Sequence, residues 1–135
     1  MTRRLIYSLI VCFLAQQAAP AMACGFCMED KIAAVYDHAA VSRALEQRQQ
    51  VVFCSLKGKQ EEQKEFAEMI KTALNPIAGI DQSNTRISSE NLTVAFTFDP
   101  SKIALDHVLD TARGKLKQNG FELEVLRVMK TPAQL

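Results

Sequence analysis

The chain has 135 residues, of which 48% are hydrophobic and 23% are charged, with four prolines and five glycines. This is the composition of a single folded domain, and it excludes a disordered or low-complexity chain. The formal net charge of +1 excludes the strongly basic balance with which proteins bind nucleic acids or anionic membranes.

Residues 1–23 have the build of a secretory signal. Arg3 and Arg4 form a basic start, residues 5–14 are an apolar run, and Ala-Met-Ala at 21–23 is a small-x-small cleavage site. The apolar run is too short for a membrane-spanning helix, which needs about 20 residues. We therefore expect this signal peptide to be removed and the remaining chain to be exported to the periplasm.

Cleavage changes both the charge and the cysteine content. Arg3 and Arg4 are two of the 16 Lys and Arg residues, so 14 remain against 15 Asp and Glu. Cys12 is lost as well, which leaves Cys24, Cys27 and Cys54. Because three is an odd number, at least one of these thiols is free, metal-bound or paired between chains.

The main chemical motif is the Cys-Gly-Phe-Cys stretch at residues 24–27, directly after the cleavage site. Cleavage after Ala23 gives Cys24 a free α-amino group, so this residue offers both sulfur and nitrogen as ligands. The alternative is a lipid anchor on Cys24, as in bacterial lipoproteins. Ala21 disfavours that alternative, because a branched apolar residue is usual three places before a lipidated cysteine.

Residues 28–49 are predicted to form one helix that carries the Cys pair at its N-terminus. Apolar residues recur at spacings of three and four, and Glu29 and Asp30 suit the positive end of the helix dipole. His38 lies about three helical turns from Cys27, some 16 Å along a straight helix. We expect it to be a partly exposed surface residue and not a ligand shared with the Cys pair.

From residue 50 onward the pattern is strand, helix, strand, strand, helix, strand. The predicted strands cover residues 51–56, 84–88, 92–98 and 121–129. The first helix covers 61–74, and the second starts at Asp99-Pro100 and ends at Asn119-Gly120, with His107 facing solvent. This order predicts a ferredoxin-like α+β fold over residues 50–135, preceded by the signal peptide (1–23) and the Cys-x-x-Cys segment with its helix (24–49).

Residues 50–129 resemble the heavy-metal-associated domain family. The resemblance lies in Gly79-Ile80, in the stretch Leu-Thr-Val-Ala-Phe-Thr-Phe-Asp-Pro at 92–100, and in Asn-Gly-Phe-Glu at 119–122. It implies a ferredoxin-like module that carries soft metal ions, with a membrane metal transporter or a cuproprotein as partner. The family's Met-x-Cys-x-x-Cys loop is missing, because residues 57–64 contain no sulfur. Metal binding in the family's usual loop is therefore excluded.

The strand pattern suggests where the displaced thiols meet. With Val51 and Phe53 facing the two helices of the body, Cys54 points to the other side of the sheet, because strand side chains alternate. The small residues Thr93, Ala95 and Thr97 mark that side as a place where another element can approach closely. The N-terminal helix is predicted to cover it and to bring Cys24, Cys27 and Cys54 into one three-sulfur site.

Three functions fit these features. The first is a periplasmic soft-metal binder or metallochaperone, with Cys24 and Cys27 as thiolate ligands and Cys54, Met28 or the terminal amine as third ligand. Sulfur ligands suit Cu(I) or Hg(II), whereas Zn(II) needs four ligands that the sequence does not supply. The second is thiol-disulfide exchange at the Cys-x-x-Cys pair, and the third is an interaction module with a structural disulfide. Hydrolytic and phosphate-binding motifs are missing, so we expect that the protein is not an enzyme.

Overall fold

The computed structural model describes residues 27–58 and 63–135. The predicted signal peptide, its predicted cleavage site and Cys24 lie outside these residues. Within them the helices are α1 (Met28–Ala33), α2 (His38–Glu46), α3 (Gln63–Leu74) and α4 (Leu105–Gln118), the strands are β1 (Gln50–Lys57), β2 (Ile80–Ser88), β3 (Thr93–Phe98) and β4 (Glu122–Met129), and a 3-10 turn covers Pro132–Gln134. Across both described ranges, no helix is long and apolar enough to cross a membrane.

The four strands form one antiparallel sheet in the order β2-β3-β1-β4. With α3 between β1 and β2 and α4 between β3 and β4, this is the predicted ferredoxin-like α+β fold. β1 and β3 occupy the centre, and both are buried along nearly their whole length. In their register Phe53 lies opposite Ala95 and Cys54 lies opposite Val94. Residues that are paired in this way share a face of the sheet.

Helices α3 and α4 cover one face of the sheet and enclose the larger core, which we call the body core. Its fully buried residues include Val52, Cys54, Leu56, Phe66, Ile70, Leu74, Val94, Phe96, Phe98, Val108, Ala112 and Leu116. Large apolar side chains from both helices and from three strands thus exclude water from this face. The burial of this surface is the main favourable contribution to folding.

The C-terminus of α4 lies where the sequence predicts it. Gly120 adopts φ +80°, the N–H of Phe121 bonds the carbonyl of Leu116 at 3.0 Å, and the N–H of Gly120 bonds the carbonyl of Lys117 at 3.0 Å. This is a Schellman ending, in which a left-handed residue satisfies the last helical carbonyls.

The predicted start of α4 at Asp99-Pro100 is wrong. The Asp99 carboxylate accepts from the N–H of Ser101 at 2.9 Å and from its hydroxyl at 2.6 Å, and the carbonyl of Asp99 accepts from the N–H of Ile103. These bonds close a separate turn, and the helix begins only at Leu105. The Asp99 side chain therefore does accept hydrogen bonds from the following residues, as a cap would, but it stabilises a turn and not the start of the helix.

The predicted single helix over residues 28–49 is also wrong, because the chain breaks between Ala33 and His38 into α1 and α2. Asp37 has an extended backbone, and its side chain accepts a hydrogen bond of 3.0 Å from the N–H of Ala40. Asp37 is therefore an N-cap, and a cap marks the start of a new helix. We call α1 and α2 together the helix pair.

The helix pair covers the second face of the sheet, as the sequence predicted for the N-terminal helix. The second core contains Ile32, Val35, Val41, Ala44, Leu45, Val51, Phe53, Ala95 and Met129. The predicted position of Ala95 under the N-terminal segment is thus confirmed. The predicted orientation of β1 is wrong, because Val51 and Phe53 face the helix pair while Cys54 faces α3 and α4.

Candidate metal site at the N-terminal thiol

Cys27 is the residue that precedes the first turn of α1. Its backbone is extended, with φ −59° and ψ 144°, and its side chain makes no capping hydrogen bond. The carbonyl of Cys27 accepts from the N–H of Lys31 at 3.2 Å, which fixes the residue to the helix. The thiol is free and exposed, as are the side chains of Met28, Glu29 and Asp30. Its sulfur is therefore available to a ligand from solvent.

The first part of the helix pair is held to the sheet by two polar contacts. The guanidinium of Arg127 on β4 donates to Glu29 Oε1 at 2.7 Å. The ammonium of Lys31 donates to Ser55 Oγ on β1 at 2.9 Å. Between these contacts the side chain of Ile32 is buried in the second core. Cys27 therefore lies on a helix whose position relative to β1 and β4 is defined.

The junction between α1 and α2 lies on the same face of the sheet and is anchored near its opposite edge, at β2. Arg86 on β2 donates to Asp37 Oδ2 at 3.3 Å, while the ring of Tyr36 stacks on Phe53 at 6.2 Å between centroids and an interplanar angle of 25°. Because β2 and β4 are the two edge strands, the chain crosses the sheet from the β4 edge to the β2 edge. The hydrogen bond from Ala40 and the contact with Arg86 hold the pKa of Asp37 below its ordinary value, so this carboxylate stays charged.

Cys54 does not join Cys27. Its side chain is fully buried in the body core, on the face of the sheet opposite to the helix pair. Burial raises the pKa of this thiol to about 12, against a small opposing effect of the Arg113 charge. A metal ligand must be a thiolate, and the environment of Cys54 favours the neutral thiol. The prediction that Cys54 belongs to a three-sulfur site is therefore wrong. Alternation along β1 points the side chain of Cys54 toward α3 and α4, away from Cys27.

The histidines stand apart from the thiol. His38 Nδ1 lies 3.2 Å from the hydroxyl of Tyr36 and the residue is exposed, as predicted, while His107 is exposed on α4. Over residues 27–58 and 63–135, no three His, Cys, Asp or Glu side chains come together as a metal-binding group. Cys24 lies outside the described residues, so the pairing of Cys24 with Cys27 stays a prediction.

A cavity of about 700 Å³ lies where β1 ends, next to the end of α4 and the start of β4. Its lining includes the cations Lys57, Arg113 and Lys117 together with Glu122 and Gly120. Lys57 is paired with Glu124 at 3.0 Å, and Arg113 with Asp110 at 3.5 Å. The lining residues that the structure describes carry no sulfur, so they do not suit a soft ion.

The contact of Arg127 with Glu29 was not foreseen from the sequence. A bulge in the pairing of β1 with β4 sets Phe53 opposite Arg127 but Cys54 opposite Val125, so Leu126 is the extra residue. Leu126 and Arg127 consequently both belong to the face that the helix pair covers. The sequence does carry a signal, because the alternation that begins at Glu122 is broken at Val125-Leu126.

Neither a protein-family model nor a curated protein matches the sequence. Among solved structures, the chain is similar to a copper binding domain from HMA7, a P-type ATPase, with 15% identity over 58% of this chain and 96% of that domain and a TM-score of 0.47. Oxidized MerP from Ralstonia metallidurans CH34 has 18% identity over 58% of this chain and 99% of its own, with a TM-score of 0.46. The CopZ metallochaperone has 20% identity over 56% and 98% of the two chains, with a TM-score of 0.41. At these scores the fold assignment rests on the strand order and register of the chain itself.

Proposed function

We propose that the protein is exported to the periplasm and binds one soft metal ion, Cu(I) or Hg(II), through the thiolates of Cys24 and Cys27. The observation that carries the proposal is the free, exposed thiol of Cys27 on a helix that is anchored to the sheet. A ligand at this position is accessible to an incoming ion and to a second protein. Delivery to a membrane metal transporter or a cuproprotein is part of the same proposal.

The donor chemistry favours soft ions. Thiolates bind Cu(I) and Hg(II) strongly, and two of them are sufficient for a nearly linear site. Met28 follows Cys27 directly and is 47% exposed. Its thioether is therefore available as a third soft ligand. The free α-amino group of a cleaved Cys24 is the other candidate. Zn(II) would require four ligands, which this segment does not offer.

The decisive experiment is an anaerobic titration of the reduced, processed protein with Cu(I), Hg(II) and Zn(II) in the presence of a competing chelator. Mass spectrometry of the purified chain first establishes whether Cys24 is the N-terminal residue and whether it carries lipid. We expect one Cu(I) or Hg(II) per chain, with tight binding lost in both Cys24→Ser and Cys27→Ser. Cys54→Ala is the matched control, because its sulfur lies on the other face, and it is expected to bind like the unmodified protein.

Other results would point to the other functions. No binding of a soft ion, together with rapid disulfide exchange between the Cys24–Cys27 pair and a test thiol, would replace the metal site with a redox function. A Cys24–Cys27 disulfide that resists reduction, without metal binding or exchange, would indicate a structural role. Loss of binding in Cys54→Ala with an intact fold would contradict the assignment of the ligands.

A further inference from the structure

Two hydroxyl groups are buried without a partner between the sheet and the helix pair. Thr93 and Thr97 are 0% and 2% exposed, and within the described residues their Oγ1 atoms have no hydrogen-bond partner. Both threonines flank Ala95 on β3 and share its face, which packs against the helix pair. The neighbouring hydroxyl of Ser55, opposite Thr93, is buried as well and accepts from Lys31.

The unpartnered hydroxyls favour separation of the helix pair from the sheet. A buried hydroxyl without a hydrogen bond loses its interaction with water and gains nothing in return. When the helix pair is lifted, water reaches Thr93 and Thr97 and restores these bonds. The packed state is thus less stable than the apolar contacts of the second core alone would make it.

The contacts that hold the helix pair to the sheet can be broken without disturbing the body core. The second core shares no residue with the body core, because the sheet lies between them. The ion pairs to Arg127 and Arg86 have side chains that are 40% to 68% exposed, and exposed pairs contribute little to stability. Removal of the helix pair leaves α3, α4 and all four strands with their own core.

The short segment between α2 and β1 is a joint about which the helix pair can move. Arg48, between α2 and β1, adopts φ +61°, a left-handed conformation that a residue with a side chain adopts at a cost. Within residues 27–58 and 63–135, the chain joins the helix pair to the body through residues 47–49, and β1 begins two residues after Arg48. Rotation at this joint moves α1 and α2 without disturbing β1.

We infer that the helix pair is a detachable cover, which lifts off the sheet as a unit while the ferredoxin-like body stays folded. Opening carries Cys27 away from the sheet and uncovers the face formed by Val51, Phe53, Ala95 and Thr97. The inference goes beyond the proposed function and holds whether or not the thiols bind a metal.

Native-state amide hydrogen exchange, followed by NMR at increasing low concentrations of urea, tests this inference. We expect the amides of α1 and α2 to share one exchange rate that is faster than that of β1, β3 and α4 and depends only weakly on urea. The variant Thr97→Val removes an unpartnered hydroxyl without changing the side-chain shape. It is expected to slow exchange in α1 and α2 by about tenfold, since such a group is costly when buried.

The matched control is Thr111→Val on α4, whose hydroxyl donates to the carbonyl of His107 and lies away from the helix pair. It is expected to leave the exchange of α1 and α2 unchanged. Exchange of α1 and α2 at the rate and with the urea dependence of the body would overturn the inference. So would an unchanged rate of α1 and α2 in Thr97→Val.

Discussion

Phe53 and Cys54 are consecutive residues of β1, yet their side chains lie in separate cores on opposite faces of the sheet. Phe53 packs with Ile32, Val41 and other residues of the helix pair, whereas Cys54 packs among the residues of α3 and α4. Both are 0% exposed. The single-residue alternation of a strand therefore determines which thiols can meet, and it separates Cys54 from Cys27.

The first prediction concerns thiol reactivity. Cys27 is exposed, whereas Cys54 is fully buried and burial raises its pKa to about 12, so of these two only Cys27 presents a thiol that a reagent in solution can reach. Alkylation of the reduced native protein with iodoacetamide should modify Cys27 within minutes and Cys54 only after urea is added. Peptide mass spectrometry reads the two sites separately, and Cys27→Ser is the control. Native labelling of Cys54 at the rate of Cys27 would contradict its burial.

The second prediction is the sign of a pH effect at Cys54. Burial raises the pKa of this thiol from the ordinary value of 9.0 to about 12. Between these two values the unfolded chain loses the proton and the folded chain keeps it, so the free energy of unfolding falls as pH rises above 9. Urea denaturation at pH 8 and at pH 10.5 should show this decrease, with a smaller decrease in Cys54→Ala. An equal pH dependence in both proteins would assign the effect to other groups.

The order of elements in the body was predictable because each element has a clear local signal. Alternation identified β3 and β4, and Asn119-Gly120 identified the end of α4. The face of Thr93, Ala95 and Thr97 was also predictable, because small side chains allow close approach. The orientation of β1 was not predictable. Its residues from Val51 to Leu56 are all buried, so alternation of polarity is absent and either face could be the inner one.

The sequence offers only cysteines as the candidate site, and of these the structure shows Cys27 exposed and Cys54 buried, while Cys24 lies outside the described residues. Cys27 is exposed as a binding residue should be, but its surroundings depend on contacts between distant parts of the chain. Glu29 and Arg127 are 98 residues apart, and their meeting requires the bulge in β4. The break before Asp37 was missed because its helical neighbours carry no Gly or Pro. The extended backbone of Asp37 and its side-chain bond to Ala40 distinguish it as an N-cap, and neither is visible in the sequence.

The third prediction separates the two roles of Asp37. Asp37→Ala removes both the cap to Ala40 and the ion pair with Arg86, while Asp37→Asn keeps a capping oxygen and removes the charge. We therefore expect the melting temperature to fall more in Asp37→Ala than in Asp37→Asn. Arg86→Gln should resemble Asp37→Asn. Equal effects of Ala and Asn would leave no role for the cap.

The same carboxylate has a predictable acid dependence. The pKa of Asp37 is lowered in the folded state, first by the N–H of Ala40 and then by Arg86. Its contribution to stability is present above the ordinary pKa of 3.8 and is lost as pH falls through the lower folded value. Acid titration of the far-UV signal should show this loss in the unmodified protein and a smaller one in Asp37→Asn.

The fourth prediction uses the left-handed residue after α2. The N–H of Gln49 bonds the carbonyl of Ala44 at 2.9 Å, the N–H of Arg48 bonds that of Leu45 at 3.0 Å, and Arg48 has φ +61°. This is the position of a Schellman ending where glycine is preferred. Arg48→Gly should raise the free energy of unfolding by about 0.5–1 kcal/mol, because the relief of strain exceeds the added chain entropy.

The control for Arg48 is the residue before it. Gln47 has φ −81° and ψ 9°, a right-handed conformation in which glycine has no advantage. Gln47→Gly should therefore lower the free energy of unfolding by about 0.5–1 kcal/mol. Urea denaturation of the two variants should give opposite signs. A loss of stability in both would show that the side chain of Arg48 contributes more than its backbone strain costs.

The fifth prediction contrasts two glycines. Gly79 precedes β2 with φ +89°, and a Cβ at this position would lie 2.6 Å from Ile103 Cγ2. Gly79→Ala should lower the free energy of unfolding by about 1–3 kcal/mol through backbone strain and overpacking. Gly114 lies inside α4 with nothing within 4 Å of its added Cβ. Gly114→Ala should raise the free energy of unfolding by about 0.5–1 kcal/mol, since alanine is the better helix former.

A double variant divides the cost at Gly79 into its two causes. Gly79→Ala combined with Ile103→Ala keeps the positive φ but removes the Cγ2 atom that the new Cβ would meet. If the clash dominates, the loss caused by Gly79→Ala is smaller in the Ile103→Ala background than in the unmodified protein, because interacting sites are not additive. If the backbone strain dominates, the loss is the same in both backgrounds. A stability equal to that of the unmodified protein in Gly79→Ala would contradict the close packing of this turn against Ile103.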